Sequence, residues 1–417
     1  MNRSPQLTGA SRQRSSTAWW AMIAVLTLLA VACGGRGQQA TGGQPVPDRN
    51  EARGEPIIVG AIFDLSGPTS DVGVSYSEGM RDYVEWRNQN GGVEGRPIKL
   101  LWQDYQYEVP KAEQLYRQYV DAGAVAFQGH GTGDTEALRA KVTEDQIPFM
   151  SGSFAATLTN PEDTPYNFVV GLSYSDQMRV ALDHIAAQSK DEHVEVAVFH
   201  HDSPFGASPL EDGRRYIEDN GLDIGYQAYA MPKGATDYVG ELARARRQGA
   251  GYIIVQNTSK PAAVLAKNVK EQGMGVQIFC LNYCADEVFV QQAGDAAEGA
   301  LGILPFAPPS QASGDMRDLE AALRAKGRSL EAIGLHYPQG WYTMAVMVEG
   351  IANVVRSGKQ VTGPAVKEAL ETMGPVTTPV TTAIRFSPDS HQGMQSGRVY
   401  QIEAGAWQAL ERAPLAP

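Results

Sequence analysis

The chain predicts an α/β fold of two lobes, each a doubly wound parallel sheet covered on both faces by helices. Two observations carry this. From Ile57 to Cys280, short runs rich in Val, Ile, Phe and Tyr alternate with stretches of helical length. Of the 417 residues, roughly 360 follow an apolar leader and a polar tether, more than one hydrophobic core usually supports.

The first strand is Ile57–Phe63, and a Gly/Ser/Pro loop, Asp64–Gly73, follows it. In an open α/β sheet, the carboxyl edge of the strands is where ligands bind. A helix over Ser75–Asn90 stops at Gly91-Gly92. Strand Ile98–Asp104 leads to helix Pro110–Asp121, with Pro in the first turn, where its missing N–H costs nothing. Strand Ala124–Gln128 runs through Gly129-His130-Gly131-Thr132-Gly133 into helix Asp134–Asp145, and Pro148–Ser151 is a further short strand. The second lobe begins near Gly171. Its helices are Ser175–Lys190, Gly206–Asn220, Asp237–Gln248 and Pro261–Gln272. Its strands are Val194–Phe199, Asp223–Ala230, Tyr252–Val255 and Gln277–Cys280.

After Gly299–Ile303 the rhythm changes. Pro305, Pro308 and Pro309 break it, and helices Ser313–Lys326, His336–Arg356 and Pro364–Met373 dominate. Ala383–Phe386 and Val399–Ile402 read as strand. A late helical block must pack somewhere, so the chain is expected to re-enter the first lobe.

The first 33 residues carry an address. Arg3, Arg12 and Arg14 precede the apolar run Trp19–Ala32, and small residues lead to Cys33. A basic start, a short apolar core and small residues before a cut site mark a secretory signal. The apolar run, roughly 14 residues, is short of the ~20 needed to span a bilayer. The Cys at the cut site resembles a bacterial lipobox, which implies lipidation of Cys33, although Ala30 stands where that motif usually has Leu. Residues 34–54 then read as a flexible Gly/Gln/Pro tether. The domain expectation is a leader 1–33, the tether 34–54, a first lobe 55–172, a second lobe 173–304, a return to the first lobe over 305–378, and a return to the hinge and second lobe over 379–417.

A net charge of −12 argues against nucleic acid, which needs a basic footprint. Besides Cys33, only Cys280 and Cys284 remain. In an oxidising compartment their spacing is compatible with a local disulfide or with two separate thiols. No second Cys/His pair lies near enough for zinc. His200-His201-Asp202 are adjacent in an extended loop and would not aim at one ion, so no metal is expected.

The opening segment resembles the branched-chain amino-acid (leucine/isoleucine/valine-binding) type of ABC-transporter substrate-binding protein. The residues that carry the resemblance are Val59-Gly60-Ala61, Leu65-Ser66-Gly67-Pro68, Gly73, Gly79, and Asn90-Gly91-Gly92-Val93 with Gly95 and Pro97. Further along, Gly171-Leu172 with Ser175-Asp176-Gln177, Ala297-Glu298-Gly299 and Trp341–Ala345 continue it in order over most of residues 55–403. The resemblance implies the type I periplasmic binding protein fold, with several hinge crossings near Gly171–Ser175, near Leu304–Ala307 and after Gly374-Pro375. It also implies a small-molecule ligand held between the lobes, no cofactor, a monomer, and ABC importer membrane subunits as partners. The protein would be held at an extracytoplasmic membrane surface through its N-terminal lipid.

Carried over by position, the ligand residues fall in strand-end loops. Val72 and Gly73 come from the first loop and Tyr105 from the end of the second strand. His130–Asp134 opens a helix, where free N–H groups favour an anion; Thr132, Gly133 and Asp134 are its candidates. Ser151, Ser153 and Phe154 follow the strand that starts at Pro148. In the second lobe the candidates are Phe205, Asn257, Thr258, Asn282 and Tyr283. Amino-acid binders of this type carry a ligand-pairing Glu where this chain has Asn282 or Tyr283, with Asp286 and Glu287 just beyond. An aromatic acid, an amide or a urea-like ligand therefore competes with a free amino acid.

An enzyme is not expected. Gly129–Asp134 is not Gly-x-Gly-x-x-Gly, and no Gly-x-Ser-x-Gly, phosphate loop or His-Glu-x-x-His occurs. The alternatives are a ligand sensor for a membrane receptor and, more remotely, a secreted hydrolase.

Overall fold

The computed structural model describes residues 54–190 and 192–410. The leader with Cys33, and the tether up to residue 53, lie outside the described residues.

The first lobe is built from β1 (Ile57–Phe63), α1 (Ser70–Gln89), β2 (Ile98–Asp104), α2 (Val109–Asp121), β3 (Ala126–Gln128), α3 (Thr132–Asp145), β4 (Phe149–Ser151) and β5 (Asn167–Val169). Its five strands lie in the order β2-β1-β3-β4-β5, and every pairing is parallel. The order reverses between β1 and β3, so the loops after these strands diverge and leave a crevice at the carboxyl edge.

The second lobe contains α4 (Tyr174–Ser189), β6 (Val194–His201), α5 (Pro204–Ala207), α6 (Leu210–Asn220), β7 (Ile224–Met231), α7 (Val239–Arg247), β8 (Ala250–Gln256), α8 (Ser259–Glu271), β9 (Gln277–Cys280), α9 (Glu287–Ala293) and β10 (Leu301–Leu304). The chain continues through α10 (Arg317–Ala325), α11 (His336–Arg356), α12 (Gly363–Thr372), β11 (Arg398–Glu403) and β12 (Ala406–Ala409). The second sheet has the order β12-β11-β10-β9-β8-β6-β7, with its reversal between β6 and β8. It is parallel from β7 to β10, but β11 pairs antiparallel with β10, and β12 antiparallel with β11. The expected parallel sheet thus gains an antiparallel edge, where a hairpin closed at Ala404-Gly405 finishes it. Both turn residues have positive φ.

Several boundaries differ from expectation for local reasons. Helix α1 starts at Ser70, not Ser75, because Thr69 takes the N-cap position and Asp71 sits favourably in the first turn. Val72 and Gly73 are thus helical rather than loop. The expected helix from Gly206 is split by Pro209 into α5 and α6. Strand β6 runs on to His201, so the two histidines are strand residues. Ala383–Phe386 forms no strand, only one antiparallel bridge between Val376 and Ile384. β5, α9, β10 and β12 were not foreseen. Each is short, and none shows a periodicity long enough to read.

Helix α11 packs along α1 at very close range. A β-carbon on Gly79 would lie 2.0 Å from the Tyr337 carbonyl oxygen, and one on Gly340 would lie 1.9 Å from that of Tyr76. Trp341 meets Tyr83 edge to face at 5.3 Å in the same seam. No helix among the described residues is long and apolar enough to cross a membrane.

Candidate ligand-binding site

The two crevices face each other. Between them lies a narrow cavity of about 20 Å³, within about 340 Å³ of atom-free space that includes open solvent. Its first-lobe wall is Thr69, Val72, Tyr76, Tyr107, His130, Gly131 and Thr132, and its second-lobe wall is Tyr174, Phe205, Thr258 and Tyr283. Thr69 and Val72 follow β1, His130 to Thr132 follow β3, Phe205 follows β6 and Thr258 follows β8. These are the loops at the two reversals of strand order, which is why distant sequence segments converge here.

The close approach at the first wall has a steric cause. A β-carbon on Gly73 would meet the Asp64 carbonyl oxygen at 2.0 Å, so only glycine lets α1 begin directly over the end of β1. Asp64 is fully buried. It accepts bonds from Gly67 N–H at 2.6 Å, Thr69 N–H at 2.9 Å and the Thr69 hydroxyl at 2.8 Å. His130 Nε2 lies 3.1 Å from the same hydroxyl oxygen. Burial pulls the His130 imidazole down to about 4, against a smaller upward pull from Asp64.

Aromatic rings form most of the remaining wall. Tyr76 and Tyr107 flank His130 at 6.1 and 6.4 Å between centroids. Across the cleft, Tyr174, Phe205 and Tyr283 pack on one another at 5.4 to 6.3 Å. Phe154 stacks behind Tyr283 at 5.7 Å.

Of the residues expected from sequence, Val72, Thr132, Phe205, Thr258 and Tyr283 lie on the cavity wall. The others stand behind it. Asp134 is turned inward, accepting the Tyr105 hydroxyl at 2.7 Å and Gly131 N–H at 3.2 Å. It thereby holds the start of α3, and burial pushes its carboxyl up to about 7. Tyr105 is consumed in that contact. Gly73 and Gly133 contribute backbone only. Ser151 and Ser153 form a buried hydroxyl ladder, Ser151 with Thr135 and Ser153 with Thr132, each at 2.7 Å. Asn257 accepts from Thr258 N–H at 2.8 Å and points its amide at the Met231 sulfur. Asn282 donates its N–H to Gln177 Oε1 at 3.0 Å.

Asp286 and Glu287 do not reach the cavity wall in place of a ligand-pairing Glu. Asp286 N-caps α9 through Phe289 N–H at 2.8 Å and accepts the Ser259 hydroxyl at 2.5 Å. Glu287 accepts Leu335 N–H at 2.8 Å. Cys280 and Cys284 are free, buried thiols. The Cys284 thiol faces the Val255 and Leu281 carbonyls, either of which can accept its one proton. Among the described residues, no group of three or more His, Cys, Asp or Glu is arranged to hold a metal ion.

Sequence reasoning missed Thr69, Tyr76 and Tyr174, and it named His130 and Gly131 without selecting them. Tyr76 follows once α1 is begun at Ser70, since it then stands four residues after Val72 on the same helix face. Tyr174, at the first position of α4, carries no comparable signal.

A chain of contacts crosses from lobe to lobe beside the cavity. The Tyr283 hydroxyl donates to the Gly152 carbonyl and accepts from Gln339 Nε2 at 3.3 Å. His336 Nδ1 meets Gln339 Oε1 at 2.8 Å and its Nε2 meets Asp286 Oδ2 at 3.0 Å. Both ring nitrogens face acceptors, an arrangement that favours the imidazolium. Asp71, on α1, accepts Lys260 N–H at 2.9 Å at the start of α8.

Comparisons with known proteins agree with this architecture. A family model described as periplasmic binding protein matches residues 56–406. The Leu/Ile/Val-binding protein homolog 1 of Brucella abortus is 22% identical over 356 residues, covering 84% of this chain and 91% of the relative. A branched chain amino acid ABC transporter structure from Thermus thermophilus, with bound valine, superposes with a TM-score of 0.82 at 25% identity, covering 86% of this chain and 97% of that one. A fatty acid ABC transporter substrate-binding protein from Thermomonospora curvata shares the fold at 18% identity, with a TM-score of 0.76 and coverage of 88% and 94%. With two sheets, a cleft built at their strand-order reversals and a family match over nearly the whole described chain, the protein belongs to the periplasmic binding protein family, with the type I fold of the Leu/Ile/Val-binding proteins.

Proposed function

We propose that the protein is an extracytoplasmic solute-binding lipoprotein that captures a small polar ligand, an amino acid or a related organic acid or amide, and delivers it to an ABC importer. The observation that carries this is the cavity walled from both lobes. A ligand there touches two bodies at once and so stabilises the closed arrangement by its differential affinity. The moving bodies are residues 55–172 with 305–378, and 173–304 with β11 and β12. The leader 1–33 directs export, Cys33 takes the lipid, and residues 34–54 tether a monomeric body to the membrane. The name of the Thermus relative supports a branched-chain amino acid, and that of the Thermomonospora protein supports an organic acid.

A thermal-shift screen over amino acids, aromatic acids, amides, urea and short peptides tests the capture step. A ligand at ~100 times its dissociation constant adds about 2.7 kcal/mol. Solution scattering with the best hit then tests closure, and an unchanged radius of gyration at saturation would sink the hinge mechanism. Incorporation of labelled fatty acid, lost in C33S, tests the anchor.

A further inference from the structure

We infer that His130 is the polar anchor of the cavity and that its Nδ1 accepts a hydrogen bond from a neutral N–H donor, so that the ligand is a carboxamide on an apolar body rather than a free amino acid. This rests on the solute-binding reading above and narrows it.

The tautomer follows from the hydrogen-bond chain. The Thr69 hydroxyl donates its proton to Asp64 Oδ2. Its oxygen can then only accept from His130 Nε2, which must carry the ring proton. Nδ1 is left as a lone pair. It is buried and has no partner in the protein, on a residue that is 8% exposed and lines the cavity. A buried polar atom without a partner is costly, and a donor in the cavity relieves that cost. The low proton affinity of the buried imidazole agrees with a neutral ring.

The same wall discriminates between head groups. An ammonium brings a full charge and several donors into a desolvated space. No carboxylate lines that space, and Asp64, Asp134 and Asp286 are already engaged by protein donors. Asp71 does not line it either; its Oδ2 accepts Lys260 N–H, while its Oδ1 has no partner and lies beside Thr258. A carboxylate offers only acceptors, which would confront the Nδ1 lone pair. A carboxamide offers both kinds of group. Its N–H meets Nδ1, and its carbonyl meets the free N–H groups at the start of α3, next in sequence at Thr132 and Gly133. The Thr258 hydroxyl is on the opposite wall, beside the Asp71 carboxylate. Tyr76, Tyr107, Tyr174, Phe205 and Tyr283 enclose the apolar body.

The test holds the body constant and changes the head. Titration calorimetry compares L-leucine, 4-methylpentanoate and 4-methylpentanamide, and likewise L-phenylalanine, 3-phenylpropanoate and 3-phenylpropanamide. The amide is expected to bind at least about tenfold more tightly than the amino acid of the same body in one series, since an unmet buried donor or acceptor costs on the order of that factor. H130L should erase the preference and H130N should restore part of it, with melting temperatures recorded to separate binding from folding. Equal or tighter binding of the amino acid overturns the inference, as does unchanged amide affinity in H130L. Failure of all six compounds also overturns the carboxamide class. Whether solute binding falls with it is read separately, from the mass spectrum of small molecules released on denaturing the purified protein.

Discussion

Gly79 and Gly340 face each other where α1 crosses α11, and neither position has room for a β-carbon. At both, the obstruction is backbone carbonyl oxygen within 2.0 Å of the missing atom. Helix α1 carries Tyr76 to the cavity, and α11 carries His336 and Gln339 to the contacts beside it. The spacing of the helices therefore sets the position of groups that come from residues 76 and 336.

Gly340→Ala is expected to destabilise the protein by about 1–3 kcal/mol, the usual cost of overpacking a tight seam. Urea unfolding measures it. A midpoint within error of the wild type would mean that the helices separate freely and that the seam does not position the cavity.

His336 makes stability depend on pH. Burial lowers its affinity for a proton, but its hydrogen bonds to Asp286 and Gln339 and the nearby Glu287 outweigh burial, and the net shift is upward from 6.5. The other neighbours are Tyr283 at 5.7 Å and, farther off, His130. A group raised in the folded state contributes fully below its unfolded value and loses that contribution as pH climbs through the folded one. The melting temperature is expected to fall as pH rises above 6.5 more steeply than in H336Q. Parallel profiles would remove His336 as the cause.

Tyr283→Phe keeps the ring on the cavity wall and deletes the hydroxyl that reaches Gly152 in the other lobe. Losing one such bond costs about 1 kcal/mol, roughly fivefold in affinity for any ligand that closes the cleft. Calorimetry on the wild type and variant reads it, and equal constants would show that this bond does not support closure.

The two thiols give a chemical check. Cys280 and Cys284 are free and buried, and burial raises the Cys284 thiol well above the ordinary range. Without reductant, alkylation should leave both unmodified in native protein and label both after unfolding. A mass showing no labelling after unfolding would demonstrate a disulfide.

Strong local signals made much of the fold legible. Helix α11 runs from His336 to Arg356, the bounds its long apolar pattern predicts, and β9 covers Gln277–Cys280 as read. The start of α1 was misread because Thr69-Ser70-Asp71 looks like loop until the Asp64 hydrogen bonds are seen. In the cavity, Thr132 and Phe205 could be placed because strand-end loops are visible in sequence. Ser151, Ser153 and Asp134 sit in equally suitable loops, yet their side chains turn inward to satisfy buried groups. That direction is a tertiary outcome that no spacing encodes. Asn257 and Asn282 fail for the same reason.

The hairpin of β11 and β12 has a consequence for how the chain is made. β10 ends at Leu304, yet its outer partner starts at Arg398, so synthesis must proceed nearly to the last described residues before that edge is covered. Until then the sheet exposes a row of unpaired backbone groups, a template for wrong partners. A nascent or prematurely ended chain thus cannot finish its second lobe.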